Sequence, residues 1–332
     1  MSGTLNVFKK NNIFGTGNVT NQFHHSGLIS YPVTPFDELN LIDFASFEAL
    51  LHHLLSLKPN AICVLGSVGE ATYLSLDESK DIIDSATNKI GGACPLFVGI
   101  NTNNTNTAIE LANYAKEKGA YGIMVSPFSY IPLKESELFT YFKDIALNVG
   151  LPIILYNNPI SSGYSLSPEF MTYLANEIEE IQFIKDSSGE VSQLESLLAL
   201  TAESPVKIFN GSNKIAFEAL KMGVDGWCTV TPCFLGQHVD RIISHVRNGS
   251  QVYSNQQIAL FKKLFLVLGE KGLIQSSKVA ITHKVINSGK PRPPLQALAE
   301  IDEHYLIYLL DLISVETSSI THDSESYVGE LL

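Results

Sequence analysis

Short, almost entirely apolar runs recur between residues 27 and 233, and each of them ends in small or polar residues. The eight runs are GLISYPVTPF, AICVLGSVGE, CPLFVGINTN, YGIMVSPFSY, PIILYNNP, QFIKDSSG, VKIFNGSN and GWCTVTPC. Runs that are apolar throughout, without alternation, are typical of parallel strands that are buried on both faces. The pattern therefore predicts eight parallel strands.

Longer segments separate these runs, and their apolar positions recur every three to four residues, as expected for amphipathic helices. Helix-start signals agree, because Ser75 and Glu78 form a capping box and Ser167 precedes Pro168 at a first helical position. Three glycines stand where C-terminal caps belong: Gly119, Gly150 and Gly223.

This alternation of strands and helices, over about 215 residues, matches a (β/α)8 TIM barrel in the number and length of its units. A doubly wound open sheet is the alternative, but it usually carries a Gly-rich phosphate turn after its first strand, and YPVTPFDE is no such turn. After about residue 240 only helical periodicity continues. We predict a polar extension over 1–26, the barrel core over 27–240, the last barrel helix and a small C-terminal helical appendage over 241–315, and a polar, acidic tail over 316–332.

Charge and composition restrict the partners. A net charge of -12 and a pI near 5.2 argue against nucleic acids and membranes as partners, because phosphate binding requires clustered Lys and Arg. The N-terminus lacks the apolar core of a signal peptide, and no later stretch approaches about 18 uninterrupted apolar residues. We therefore predict a cytoplasmic protein.

The cysteines and histidines do not indicate a metal site. The adjacent pairs His24–His25 and His52–His53 would not share a helix face, so we predict neither a metal nor a cofactor. The cysteines are scattered, mostly in or beside apolar runs, which predicts buried free thiols in a reducing compartment: Cys63, Cys94, Cys228 and Cys233.

Lys185 is the charge that ends the sixth apolar run. A solvated lysine at a strand terminus is the simple interpretation. In a (β/α)8 barrel, however, the loops that follow the strands build the active site. Burial in an apolar barrel mouth disfavours the ammonium, so that free amine becomes available to attack a ketone and form a Schiff base.

Two further candidates lie at the ends of other runs. Tyr156 ends the fifth run, about 4.8 Å from the next strand, where its hydroxyl can relay protons; the alternative is a core tyrosine. After the second run, the turn Gly66–Gly69 offers successive N–H groups that could hold a carboxylate, although such a turn also occurs without a ligand.

Taken together, PVTPF, GSVGEATYLSLDE, YNNP, FIKDSSG, FNGS, GWCTVTP and KPRPPLQAL resemble, in order and spacing, the dihydrodipicolinate synthase and N-acetylneuraminate lyase superfamily of class I aldolases. The match covers nearly all of residues 27 to 310. The resemblance implies a homotetramer arranged as a dimer of dimers, with a pyruvate-type Schiff base on Lys185 and proton relay by Tyr156. It also implies substrate contacts from Ser67, Val68, Gly211 and Cys228.

Departures from the family pattern limit the substrate prediction. Dihydrodipicolinate synthases usually carry an Arg for the second substrate's carboxylate where this chain has Ser161, and a serine cannot supply a charged bidentate fork. Their second relay tyrosine is replaced by Ser129, with Tyr130 one position late, and Val68 replaces a hydroxyl residue. Sialic acid lyases commonly have an acidic pair where this chain has Asn213 and Lys214.

We predict a lyase, aldolase or dehydratase that acts on pyruvate or a 2-keto-3-deoxy acid. Polar residues suit a hydroxylated acid, or instead satisfy local backbone groups: Ser129, Asn157, Ser161 and Asn213. One alternative is a 4-hydroxy-tetrahydrodipicolinate (dihydrodipicolinate) synthase that uses another cation in place of the missing Arg. A second is a barrel that binds a keto acid without turning it over.

Overall fold

The computed structural model describes Phe23 and residues 25–318. Most of the predicted polar extension and of the acidic tail, together with His24, lies outside the described residues. Among the helices described, none has the length and apolar character needed to cross a membrane. Location in the cytoplasm stays a prediction.

Parallel strands close into a barrel in chain order, with β8 pairing back to β1. The strands are β1 (Gly27–Ser30), β2 (Ala61–Val64), β3 (Leu96–Ile100), β4 (Gly122–Val125), β5 (Ile153–Asn157), β6 (Ile181–Asp186), β7 (Lys207–Asn210) and β8 (Gly226–Thr229). Each predicted run matches one strand, with β6 beginning one residue before its run, so the (β/α)8 barrel is confirmed and the open sheet is wrong. Nearly all strand residues are buried, because side chains fill the interior and helices cover the outside.

Helices connect the strands and continue after β8. In the barrel they are α1 (Phe44–Ser56), α2 (Leu76–Ile90), α3 (Thr105–Glu117), α4 (Glu135–Val149), α5 (Pro159–Ser162), α6 (Pro168–Glu177), α7 (Val191–Leu200), α8 (Ala216–Met222), α9 (Pro232–Leu235) and α10 (His238–Asn248). Short 3-10 helices, Ser67–Gly69 and Ala71–Tyr73, follow β2. The appendage consists of α11 (Asn255–Glu270), α12 (Leu273–Lys284) and α13 (Glu300–Thr317), which pack on one another.

Helix ends follow the predicted chemistry. The Ser75 hydroxyl accepts from the Glu78 N–H while the Glu78 carboxylate accepts from the Ser75 N–H, which completes the capping box. Ser167 caps α6 ahead of a proline, and Gly150 ends α4 in the left-handed region with φ 62°. Gly223 ends α8 in the same way, so these local signals were interpreted correctly.

An aromatic cluster closes one end of the barrel. Phe23, which precedes β1, contacts the rings of Phe97, Phe183 and Phe209 with centroids 5.4 to 6.2 Å apart, and all four side chains are at most 3% exposed. The contacts with Phe97 and Phe183 are edge-to-face and the one with Phe209 is stacked, and such pairs add to the stabilisation from burial. Because this end is filled, access to the interior is left to the opposite end, where the strands terminate.

The free cysteines are confirmed, since all four are buried and unpaired. Cys63 lies in β2 and Cys228 in β8, and both are fully or almost fully buried in the barrel.

Candidate active site

Lys185 points into the barrel and not into solvent. It lies near the end of β6, opposite Tyr156 of β5 in the sheet register, and is only 5% exposed. Its Nζ lies 3.9 Å from the ring centroids of both Tyr31 and Tyr156 and 3.7 Å from the Met124 Sδ. The interpretation as a solvated strand-end lysine is therefore wrong.

Aromatic faces and a thioether surround the Lys185 amine, and no ion pair joins it to any carboxylate in the described part of the chain. Structural lysines that are buried elsewhere in proteins are normally paired with a carboxylate. An inward amine without such a partner is available to meet a bound carbonyl as a nucleophile.

The remaining walls near Lys185 are neutral. Burial raises the pKa of the Cys63 thiol to about 12 and that of Cys228 to about 11, and the positive charge of Lys185 offsets this only in part. Burial, followed by the neighbouring thiols, raises the pKa of Tyr31 well above its usual range. At neutral pH these groups are thus uncharged, and they offer neither a competing nucleophile nor a counter-ion.

Gly211 is required by the path of the Lys185 side chain. A Cβ on Gly211 would lie 2.7 Å from the Lys185 Cε and 2.1 Å from the Ser187 Oγ. No larger residue fits without moving the amine. The backbone N–H of Gly211 donates to the Asp186 carbonyl at 2.7 Å, which fixes this close approach.

Ser187 carries a hydroxyl that sequence reasoning overlooked. Its Oγ is buried and has no hydrogen-bond partner among the residues described. It lies on the same side of Gly211 as the Lys185 side chain, because a Cβ on Gly211 would clash with both. Buried hydroxyls are normally paired. An unpaired one close to the Lys185 side chain is a candidate contact for a bound hydroxyl or carbonyl oxygen.

The turn after β2 presents backbone donors. Ser67 and Val68 begin the short 3-10 helix, so their N–H groups have no partner within it, and neither donates to an acceptor in the described residues. Gly66 packs closely on the Tyr31 ring, since a Cβ there would lie 2.8 Å from the Tyr31 Cδ1. This contact places the turn beside the ring that covers Lys185.

A buried ion pair holds this turn from behind. Glu70 ends the turn in the left-handed region (φ 56°), and its carboxylate lies 2.8 Å from the Lys278 Nζ of α12 and accepts from the Arg292 N–H at 2.8 Å. Glu70 and Lys278 are 1% exposed. Burial lowers the pKa of Lys278, and the attraction of Glu70 opposes this effect. The appendage therefore takes part in shaping the turn after β2.

Tyr156 accepts a hydrogen bond from Asn158, two residues further along the chain. The Asn158 Nδ2 donates to the Tyr156 Oη at 2.7 Å and to the Ser161 Oγ at 2.9 Å. Tyr156 is 4% exposed and Asn158 is 8% exposed, so this contact is shielded from water. Sequence reasoning missed Asn158, because nothing in YNNP shows which of its two asparagines turns toward the tyrosine.

Asn157 belongs to the scaffold instead. Its Nδ2 donates to the Asp186 carboxylate at 2.7 Å and its Oδ1 accepts from the Leu166 N–H at 3.1 Å. Its side chain thus satisfies protein groups, which is one of the two expectations for this residue. Burial raises the pKa of Asp186, while hydrogen bonds from Ser188, Asn157 and Gln193 act in the opposite direction. This network joins the ends of β5 and β6.

The other predicted polar residues lie on the loops at the same end of the barrel. Ser161 is exposed and accepts from Asn158, whereas Ser129 is half-buried after β4 and makes no side-chain hydrogen bond among the described residues. Asn213 accepts from the Thr229 hydroxyl at 2.8 Å. Lys214 is 61% exposed and lies 3.7 Å from Glu190, so it points away from the amine.

The fold and this site define a class of protein. A (β/α)8 barrel with an inward, unpaired lysine near a strand end, a tyrosine beside it and a turn of free N–H groups is typical of class I aldolases. The Dihydrodipicolinate synthetase family profile matches residues 24–311. The chain belongs to the dihydrodipicolinate synthetase family, which confirms the predicted class I aldolase-type lyase.

Individual relatives agree in sequence and in fold. The chain is 32% identical to the 4-hydroxy-tetrahydrodipicolinate synthase of Thermosipho africanus over 70% of this chain and 81% of that protein. It is 28% identical to the Bacillus subtilis synthase over 81% and 92% of the two chains. A putative dihydrodipicolinate synthetase from Pseudomonas aeruginosa superposes with a TM-score of 0.82 at 29% identity, covering 87% of this chain and 99% of that one. YagE of Escherichia coli K12, solved in complex with pyruvate, superposes with a TM-score of 0.78 at 26% identity, covering 87% and 98%.

Proposed function

We propose that Lys185 forms an imine with C2 of pyruvate or of a 2-keto-3-deoxy acid, and that the enzyme makes or breaks a bond at C3 or C4 of the adduct. The observation that carries this proposal is the Lys185 amine, 5% exposed and held 3.9 Å from two tyrosine rings without a carboxylate partner among the described residues. The pyruvate complex of YagE supports the choice of ligand.

Tyr156 moves the protons in this mechanism. The free amine adds to the ketone to give a carbinolamine, whose hydroxyl takes the Tyr156 proton and leaves as water. An iminium and a phenolate remain side by side. The phenolate then removes a proton from C3, the iminium accepts the electron pair, and an enamine forms while Tyr156 regains its proton.

The turn after β2 anchors the substrate carboxylate. The N–H groups of Ser67 and Val68 point from a helix start, where an anion is stabilised. Because the backbone supplies these donors, Val68 can take part although its side chain carries no hydroxyl. The Ser67 hydroxyl adds a third donor.

The other end of the substrate is a hydroxylated chain in this proposal. Ser187 offers an unpaired hydroxyl beside Lys185, and Thr229 with Asn213 forms a second polar pair near the strand ends. Ser161 supplies no charge, and the cation of Lys214 is 61% exposed. These features favour a sugar acid over a second substrate that carries another carboxylate. We therefore expect negligible condensation of pyruvate with aspartate semialdehyde.

The synthase remains the second candidate. Relatives from Thermosipho and Bacillus carry the name 4-hydroxy-tetrahydrodipicolinate synthase. A coupled assay with pyruvate and aspartate semialdehyde separates the candidates, because robust turnover there would overturn our substrate assignment. Turnover of a 2-keto-3-deoxy acid would support it. A barrel that only binds its keto acid would do neither.

We also propose a homo-oligomer, a dimer of dimers by family resemblance. Large apolar side chains are exposed on the loops after β4 and β5: Phe128, Tyr130, Ile131 and Ile160. The Tyr164 hydroxyl donates to the Ile131 carbonyl at 2.9 Å and so ties the two loops together. Several large exposed apolar side chains on neighbouring loops are typical of a protein interface. Light scattering at several concentrations tests this.

Reductive trapping tests the imine itself. The protein is incubated with pyruvate and sodium borohydride, digested and analysed by mass spectrometry, and we expect one adduct, on Lys185. Lys185→Ala should abolish the adduct without unfolding the protein, while Lys214→Ala, which removes an exposed lysine after β7, should leave it unchanged. No adduct in the wild type, or an adduct that persists in Lys185→Ala, would contradict the proposal.

A further inference from the structure

We propose that Asn158 is a positioning residue that fixes the direction of the Tyr156 hydroxyl and supports its phenolate. The proposal rests on the function proposed above for Lys185 and Tyr156. It concerns a contact inside the site for which neither the strand-end pattern nor the resemblance gave a role.

The contact has one direction. The Asn158 Nδ2 can only donate hydrogen bonds and lies 2.7 Å from the Tyr156 Oη, so the phenol oxygen must accept this hydrogen bond. The hydroxyl proton of Tyr156 then points away from Asn158 and is free for a group in the barrel mouth. Without this donor the hydroxyl could rotate between several directions, most of them unproductive.

The same donor serves the second state of Tyr156. Once the proton has left with the departing water, the phenolate oxygen still accepts from the Asn158 N–H, and a hydrogen bond to a charged acceptor is stronger than one to a neutral acceptor. Asn158 therefore stabilises the intermediate that removes the C3 proton. It exchanges no proton itself.

Asn158 is held on several sides. Its backbone carbonyl accepts from the Ser161 and Ser162 N–H groups at 3.1 and 2.9 Å and from the Ser162 hydroxyl at 2.9 Å. Its second amide proton goes to the Ser161 Oγ at 2.9 Å. The start of α5 thus orients the amide, and the amide orients the tyrosine.

Pyruvate alone is enough to test this. Formation of the enamine exchanges the pyruvate methyl protons with solvent, so NMR in D2O follows the exchange without knowledge of the second substrate. The variants are Asn158→Leu, which removes the donor at similar size, and Asn158→Asp, whose carboxylate can only accept. We expect the maximal exchange rate to fall about 10- to 100-fold in both, with the KM for pyruvate within about two-fold, because proton transfer is slowed while binding is not.

The control is Asn104→Asp. Asn104 caps α3 at the same end of the barrel, and aspartate caps equally well, so this change adds the same charge without touching Tyr156. Its exchange rate should equal that of the wild type. Borohydride should still trap pyruvate on Lys185 in every variant, which shows that the site is folded.

Three results would overturn the inference. The first is proton exchange at the wild-type rate in Asn158→Leu and Asn158→Asp. The second is an unchanged maximal exchange rate with a raised KM for pyruvate. The third is a similar loss in Asn104→Asp. If the wild type itself gives no trapped adduct, the proposed function fails first, and that outcome is separate because it does not involve Asn158. If Asn158→Asp is unstable, Asn158→Leu decides alone.

Discussion

Gly211→Ala should greatly slow the reaction of Lys185 with pyruvate while leaving the protein folded. The added Cβ would lie 2.7 Å from the Lys185 Cε and 2.1 Å from the Ser187 Oγ. The φ angle of Gly211 lies outside the left-handed region, so the whole effect is steric. Both contacts are shorter than carbon and oxygen atoms tolerate, so both side chains must move, each by about 1 Å.

The magnitude follows from this displacement. Overpacking of a buried site costs about 1–3 kcal/mol, which lowers the melting temperature by only a few degrees. A displacement of about 1 Å at the reacting amine costs on the order of 100-fold in rate. We therefore expect a protein that melts almost normally and traps pyruvate about 100 times more slowly.

The assay is the rate of borohydride-trapped adduct together with a thermal melt. Gly269→Ala is the matched control, because nothing lies within 4 Å of a Cβ there and α11 tolerates alanine. Ser187→Ala combined with Gly211→Ala should recover melting temperature but not reactivity, since the contact with Lys185 persists. Trapping at the wild-type rate in Gly211→Ala would refute the reasoning.

Three further predictions concern the surroundings of the site. Lys278→Met should lower the free energy of unfolding by roughly 3–5 kcal/mol, measured by urea denaturation, because it leaves a buried carboxylate uncompensated; a loss below about 1 kcal/mol would contradict this. The Arg292 guanidinium lowers the pKa of Glu78 in the folded protein from its ordinary 4.5. Ionised Glu78 therefore adds stability above pH 4.5, and this contribution is lost as the pH falls through the lower pKa of the folded state. The stability advantage of wild type over Glu78→Gln should therefore vanish in acid, and an advantage that grows there would be the wrong sign. Iodoacetamide at pH 7 should label Cys63 and Cys228 far more slowly in the native than in the unfolded protein, as peptide mass spectrometry can show, because burial raises their pKa to about 12 and about 11.

The barrel was predictable because its strands are buried on both faces. That burial requires runs that are apolar throughout, and the chain order of strand and helix leaves few arrangements. Lys185 and Tyr156 were predictable for the same reason, since a polar residue that ends such a run must lie at the barrel mouth. Their register partnership across β5 and β6 then follows from adjacency.

The rest of the site depends on closure of the barrel. Tyr31 covers Lys185 only because β8 pairs with β1, and Met124 arrives from β4, so their approach has no local signature. Tyr31 ends its run as Tyr156 does, and that signal could have identified it. Asn158 was not identified and the role of Asn157 stayed open, because the way the chain leaves β5 decides which of two neighbouring amides turns toward Tyr156.

The ion pair between Glu70 and Lys278 makes the C-terminal helices a structural part of the catalytic unit. Arg292 and Glu70 are 222 residues apart in the chain, and yet they meet directly behind the turn that follows β2. A truncated chain that ends after β8 would strand a carboxylate in the interior at this point. Engineers who wish to shorten this barrel, or to transplant its mouth loops, must carry α12 along with them.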